Sequence, residues 1–85
     1  MSIKEEVTTT VTNIVTNYLK ISGVDNDTQV FVSGILDPDE VRNLVMELEE
    51  VLNVNITDEE ADKLVTVGDI INLIVSKKEN EQWKL

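Results

Sequence analysis

Carboxylates are the groups in this chain most able to do chemistry, and they crowd into one stretch. Residues 37–62 hold ten Asp and Glu side chains against one Arg, a net charge of −9. Paired carboxylates can perform general acid–base catalysis when a cleft pushes their pKa values apart. They can also hold Mg²⁺ or Ca²⁺, keep a surface solvated, or steer a basic partner into place. Glu47, Glu49 and Glu50 fall on one predicted helix, and Asp58, Glu59, Glu60 and Asp62 on or beside the next. Charges spread over exposed helix faces give little sign of the cleft that acid–base work needs. No catalytic residue is expected, and the chain reads as a non-enzyme. Acids in a first helical turn also have a local cause, since they complement the helix dipole. Composition alone therefore favours a solvated face over a docking face.

Other reactive types are missing or badly placed. The sequence has no Cys and no His. That excludes a disulfide, a thiol nucleophile, a zinc–thiolate site and a Ser–His pair. Asp25 and Asp27 could open a calcium loop, but its sixth position is Val30 instead of Gly and its twelfth is Leu36 instead of Glu. Asp25-Asn26-Asp27 is read as a turn, and no metal is expected. Ser33, before Gly34, is a loop hydroxyl with no base available. The N-x-T sequons at Asn26 and Asn55 are read as chance.

Size and charge narrow the class further. The chain has 85 residues, with 17 acidic and 7 basic side chains and a net charge of −10. One small domain fits that length. The charge argues against nucleic acid and anionic membranes, because phosphate binding needs clustered Lys and Arg. The start Met1 to Val7 lacks a signal-peptide apolar run, and no segment approaches the roughly 18 apolar residues of a membrane span. A cytoplasmic protein is expected.

The elements that must carry these groups are helical. Ser2 to Glu5 has capping-box spacing, and Ile3, Val7, Val11, Ile14, Val15, Tyr18 and Leu19 recur in steps of three and four. Gly23 marks the expected end of this first helix. Residues 20–37 form a long connection whose Val30, Phe31, Val32, Ile35 and Leu36 are too apolar for an idle loop, so it is expected to pack back on the bundle. Asp37 is the N-cap of a second helix, Pro38 its first residue and Glu40 the partner of a capping box. Val41, Leu44, Val45, Leu48, Val51 and Leu52 form its expected buried stripe. Asp39, Arg42, Asn43, Met46, Glu49 and Glu50 fall on the outward side. Thr57 begins a short helix to about residue 64. Thr66 caps a last one, with Val67, Ile70, Ile71, Ile74 and Val75 inward. Residues 1–76 make the domain, and residues 77–85 a polar tail of net charge +1 in which Trp83 and Leu85 stand out. The architecture is all-α: three main helices plus a short one, with a long first loop.

Val30 to Asp37, Leu44 to Glu50, Asn53 to Asp62, and Thr66 to Asp69 together resemble the acyl carrier protein family, in register from the first helix to about Val75. The resemblance implies a four-helix bundle whose acidic second helix docks on basic patches of fatty-acid, polyketide or nonribosomal-peptide enzymes. It implies recognition roles for Asp37, Glu40, Glu49 and Glu50; Met46, apolar and outward beside Arg42 on the acidic face, is read as a contact point from its position alone. Family members carry cargo on a 4′-phosphopantetheine arm attached to the Ser of an Asp-Ser pair. Here that pair is Asp37-Pro38, and proline has no hydroxyl. Two usually apolar positions nearby are Asp39 and Arg42, and all three departures fall on one outward patch while the buried stripe stays intact. The expectation is a carrier-like domain with no cofactor at residue 38. It would be a monomer and serve as an acidic docking or scaffold partner for a basic biosynthetic enzyme, with Asp37, Asp39, Glu40, Arg42, Met46, Glu49 and Glu50 as partner-binding residues. The alternatives are a working carrier, with Pro38 introduced or Ser33 used instead, and an unrelated acidic interaction module.

Overall fold

The structure, a computed structural model, describes residues 3–31 and 35–83, with side chains as far as residue 79. The described residues form four helices, α1 (Ile3–Leu19), α2 (Pro38–Leu52), α3 (Asp58–Asp62) and α4 (Val67–Trp83). Their only strand-like feature is a single bridge between Gln29 and Thr66. The expected cap at Ser2 lies outside the described residues.

The periodic apolar positions become the core. Val7, Val11, Ile14 and Val15 of α1 are buried, as are Leu44, Leu48 and Leu52 of α2 and Val67, Ile70, Ile71 and Ile74 of α4. Val54, Ile56 and Leu64 close the core around the short helix, which contributes no buried residue of its own. α3 is held by its ends. Thr57 Oγ1 accepts from the Glu60 N–H at 3.2 Å, and Glu60 Oε1 accepts from the Thr57 N–H at 2.9 Å. Lys77 of α4 reaches Glu60 Oε2 at 2.9 Å.

The long first connection is stitched to the junction between α3 and α4. Val65 O accepts from the Val30 and Phe31 N–H groups at 2.8 and 3.2 Å. Thr28 O accepts from Val67 N–H, and Asn26 O from Gly68 N–H, both at 2.9 Å. Gly68 suits this approach, because a Cβ there would lie 3.1 Å from Asn26 O, a tight contact that the loop would have to relieve by a small shift. Val30 is wholly buried beneath the stitch. Asp25 forms the expected turn, its Oδ1 accepting from Asp27 N–H at 2.9 Å.

Two expectations need correction. α1 ends at Leu19 rather than at Gly23, with Lys20 in the left-handed region at φ 57°. The backbone must leave the helix early to begin pairing at Asn26. Val51 is 56% exposed instead of buried. It lies one turn beyond Glu47 at the flank of the stripe, while Leu48 and Leu52 take the covered face. The polar stretch 77–83 continues α4. Lys77, Lys78 and Glu79 are good helix formers, so the helix extends past its last buried turn.

Candidate functional site

The second helix starts as its first residues dictate. Asp37 is extended, at φ −71° and ψ 158°, and Pro38 occupies the first helical turn, where its missing N–H would have no helical partner. Glu40 Oε1 accepts from the Asp37 N–H at 3.1 Å. At the other end, Asn53 adopts the left-handed conformation, at φ 54°, and its N–H returns to Glu49 O.

Two neighbouring rows of side chains run along the helix between these caps, each stepping by four residues. Pro38, Arg42 and Met46 form one row; Val41, Val45 and Glu49 form the other. Both rows line one side of a cleft of about 630 Å³. Ile56 and α3 residues Asp58, Ala61 and Asp62 form the opposite wall, and Phe31 and Leu36 of the long connection complete the lining. Ile56 is buried, Val41, Val45 and Ala61 are half-buried, and Met46 is 55% exposed at the rim. The rim is charged: Arg42 faces the same opening as Glu49, Asp58 and Asp62.

Of the residues expected to bind a partner, Arg42, Met46 and Glu49 line this cleft, as does Pro38, the residue at the family's attachment position by the resemblance. Asp37, Asp39, Glu40 and Glu50 are exposed on the same helix outside its lining. Glu49 is not a free surface acid. It is half-buried, and its Oε2 accepts from the Ile56 N–H at 2.9 Å, tying α2 to the segment before α3. Asp58, Ala61 and Asp62 had a sequence signal that was not joined to the site. Their spacing of three and four puts them on one side of α3, but nothing in the sequence aims that side at α2. Ser33 lies outside the described residues.

The carboxylates held below their ordinary range are structural groups outside the cleft lining. Glu60 is lowered first by the Thr57 backbone N–H, and also by Lys77. Asp69 is lowered by the backbone N–H groups of Thr66 and Val65, whose bonds to Oδ2 measure 3.1 and 3.0 Å. Tyr18 is pushed up by burial and then by Glu47, whose Oε1 its hydroxyl approaches at 3.4 Å. Among the described residues, no group of three or more His, Cys, Asp or Glu could hold a metal ion, and no helix is long and apolar enough to cross a membrane. The arrangement offers an apolar cleft with a charged rim and a proline at the head of its helix.

No family model matches the chain. It is similar to the acyl carrier protein of Wolinella succinogenes, at 51% identity over 39 residues, which is 46% of this chain and 51% of that protein. The chain spans about half the length of the curated relatives it matches. Likeness in structure extends further. The acyl carrier protein of Enterococcus faecalis shares 32% identity and superposes with a TM-score of 0.77, covering 89% of this chain and 99% of that one. The acyl carrier protein of Thermotoga maritima shares 25% identity with a TM-score of 0.71, covering 91% of this chain and 92% of that one.

Proposed function

The chain belongs to the acyl carrier protein family, and from that premise we propose that it is a carrier-fold domain that bears no phosphopantetheine arm at residue 38 and acts as an acidic docking or scaffold partner for a basic biosynthetic enzyme. The observation that carries this reading is Pro38. It stands directly after Asp37 at the first turn of α2, and the resemblance to the family implies that this is the position of the attachment serine. A phosphodiester needs a hydroxyl oxygen, and a pyrrolidine ring has none. The residues at the head of α2 therefore do not fit the arm, and no loading step is drawn through it. The same proline suits the helix start, so losing the serine carries little penalty for the fold.

The docking half of the reading draws on charge. Residues 37–62 carry −9, and the exposed side of α2 presents Asp39, Glu40 and Glu50 to solvent. Such a field raises the encounter rate with a basic surface and sets orientation. The domain works as a monomer in the cytoplasm and has no catalytic residue of its own. Incubation with a promiscuous phosphopantetheinyl transferase and coenzyme A is expected to leave the intact mass unchanged, while an ordinary carrier in the same tube gains the arm. A mass gain on the unaltered chain overturns the reading in favour of a working carrier, and peptide mapping then identifies the residue used.

A further inference from the structure

Arg42 is the only arginine of the chain, and it is the lone cation in a segment of ten acids. We infer that Arg42 is a specificity-determining residue that receives a carboxylate of the partner protein. It selects a partner whose surface sets an Asp or Glu against the head of α2, and it turns away one that is basic throughout. This inference rests on the docking reading and goes beyond it, because that reading concerns the acids of α2 and this one the single charge of opposite sign among them.

Arg42 is exposed, and among the described residues its guanidinium has no hydrogen bond and no ion pair, although Glu49, Asp58 and Asp62 line the same opening. Lys77, by contrast, is already paired with Glu60 at 2.9 Å. The fold gives Arg42 no other task. It is absent from the core, and so near the N-terminus of α2 a cation gains nothing from the helix dipole. Its chemistry fits one kind of group. A guanidinium is a planar fork of N–H donors that meets a carboxylate through two parallel bonds, which a lysine cannot do. Its place decides when that group is met. Arg42 lies one turn after Pro38 and one turn before Met46, and all three are exposed. A surface that covers the head of α2 therefore covers Arg42. A Lys or Arg brought there meets a like charge at contact, whereas a carboxylate fills the fork. Such a clash separates partners that the net field attracts equally. A free small carboxylate has the same chemistry, but it approaches a segment of charge −9 with no basic surface to carry it in. A carboxylate set within a basic surface is the better match.

The test uses the whole protein and two synthetic basic helical peptides of equal length and equal net charge. One has a Glu at its centre among lysines. The other has Gln there, and a second Gln in place of one terminal Lys. Affinity is read by fluorescence anisotropy at low, fixed salt. Contact is read by the Arg42 Nε–H resonance, which is unambiguous in a chain with one arginine. The Glu peptide is expected to bind about three- to fivefold more tightly than the Gln peptide, the scale of an exposed ion pair. It is also expected to shift the Arg42 resonance, which the Gln peptide leaves near its free position. Arg42→Gln is expected to remove the preference and Arg42→Glu to reverse it. Both substitutions fall at an exposed position, and far-UV circular dichroism checks that the helices are kept. Equal affinity of the parent for the two peptides, or a preference that Arg42→Gln leaves intact, overturns the inference. So does saturation of the Arg42 resonance by acetate without any preference for the Glu peptide. In each of those cases, salt-sensitive binding of both peptides that falls in Glu50→Lys leaves the broader docking reading standing. Absence of any salt-sensitive binding counts against both.

Discussion

The α1–α4 side and the α2–α3 side of this bundle are built for different ends. On the first, Val7, Val11, Ile70 and Ile74 are essentially shut off from solvent, and the two long helices close on each other. On the second, α3 buries nothing, Val45 is only half-covered, and an open cleft takes the place of a closed seam. The same chain thus closes one side and leaves the other open, and Pro38 heads the helix of the open side, where it suits the first turn.

The sharpest way to break this division is to cut one residue from each side. Ile70→Ala is expected to cost about 2–5 kcal/mol, because it leaves a cavity in a fully buried site. Met46→Ala, on an exposed position of α2, is expected to stay within about 0.5 kcal/mol. Urea unfolding of both variants measures this. Comparable losses would mean that the cleft side also carries the fold.

A second, smaller effect sharpens the boundary within α2 itself. Glu49→Lys removes the acceptor of the Ile56 N–H and is expected to cost about 1–3 kcal/mol. Glu50→Lys touches no such bond and is expected to change stability by less than about 0.5 kcal/mol. Both are expected to slow association with a basic partner and to weaken its salt dependence. If Glu49→Lys melts like the parent, the tie between α2 and the α3 segment has no weight.

The caps provide a local probe. Thr57→Ala is expected to weaken α3 by about 1 kcal/mol, seen as faster amide exchange at residues 58–62 with exchange in α1 and α4 unchanged. Spread of the effect into α4 would contradict the independence of the two sides.

The smallest effect is in pH. Asp69 is held below its ordinary range in the fold by the N–H groups of Thr66 and Val65. A depressed folded pKa gives stability that is present above the unfolded value and is lost as pH falls through the folded value. As pH falls through and below the ordinary aspartate range, the parent is therefore expected to lose this contribution and Asp69→Asn to lack it throughout. The measurable outcome is a gap between the two melting curves at neutral pH that narrows on acidification. Parallel curves would show that the Asp69 bonds do not stabilise the junction.

Much of this organisation was legible in the residues. Steps of three and four gave the buried faces of α1 and α4, and Asp37-Pro38, Thr57 and Thr66 each marked a helix start through the side chain's own chemistry. The apolar content of residues 30–36 announced a loop that packs: Val30 is buried and Phe31 and Leu36 half-buried, but Ile35 is exposed, and Val32 lies outside the described residues. The pairing of that loop with residues 65–68 was not legible, because it runs through backbone groups that every residue possesses. That hidden pairing accompanies the early end of α1, and Lys20 has no local signal for a left-handed turn. Glu49 and Glu50 look alike in sequence, and only the position of Ile56 separates them. The cleft was not legible: Val41 and Val45 of its α2 wall read as part of the buried stripe, Arg42, Met46 and Glu49 as outward, and its α3 wall depends on how a five-residue helix is set by its caps.

The central claim concerns residue 38, and the most direct measurement is the intact mass of the protein purified from the cell that makes it. The value expected is that of the polypeptide with no phosphopantetheine added. A species heavier by one phosphopantetheine group, with or without cargo, would contradict the claim.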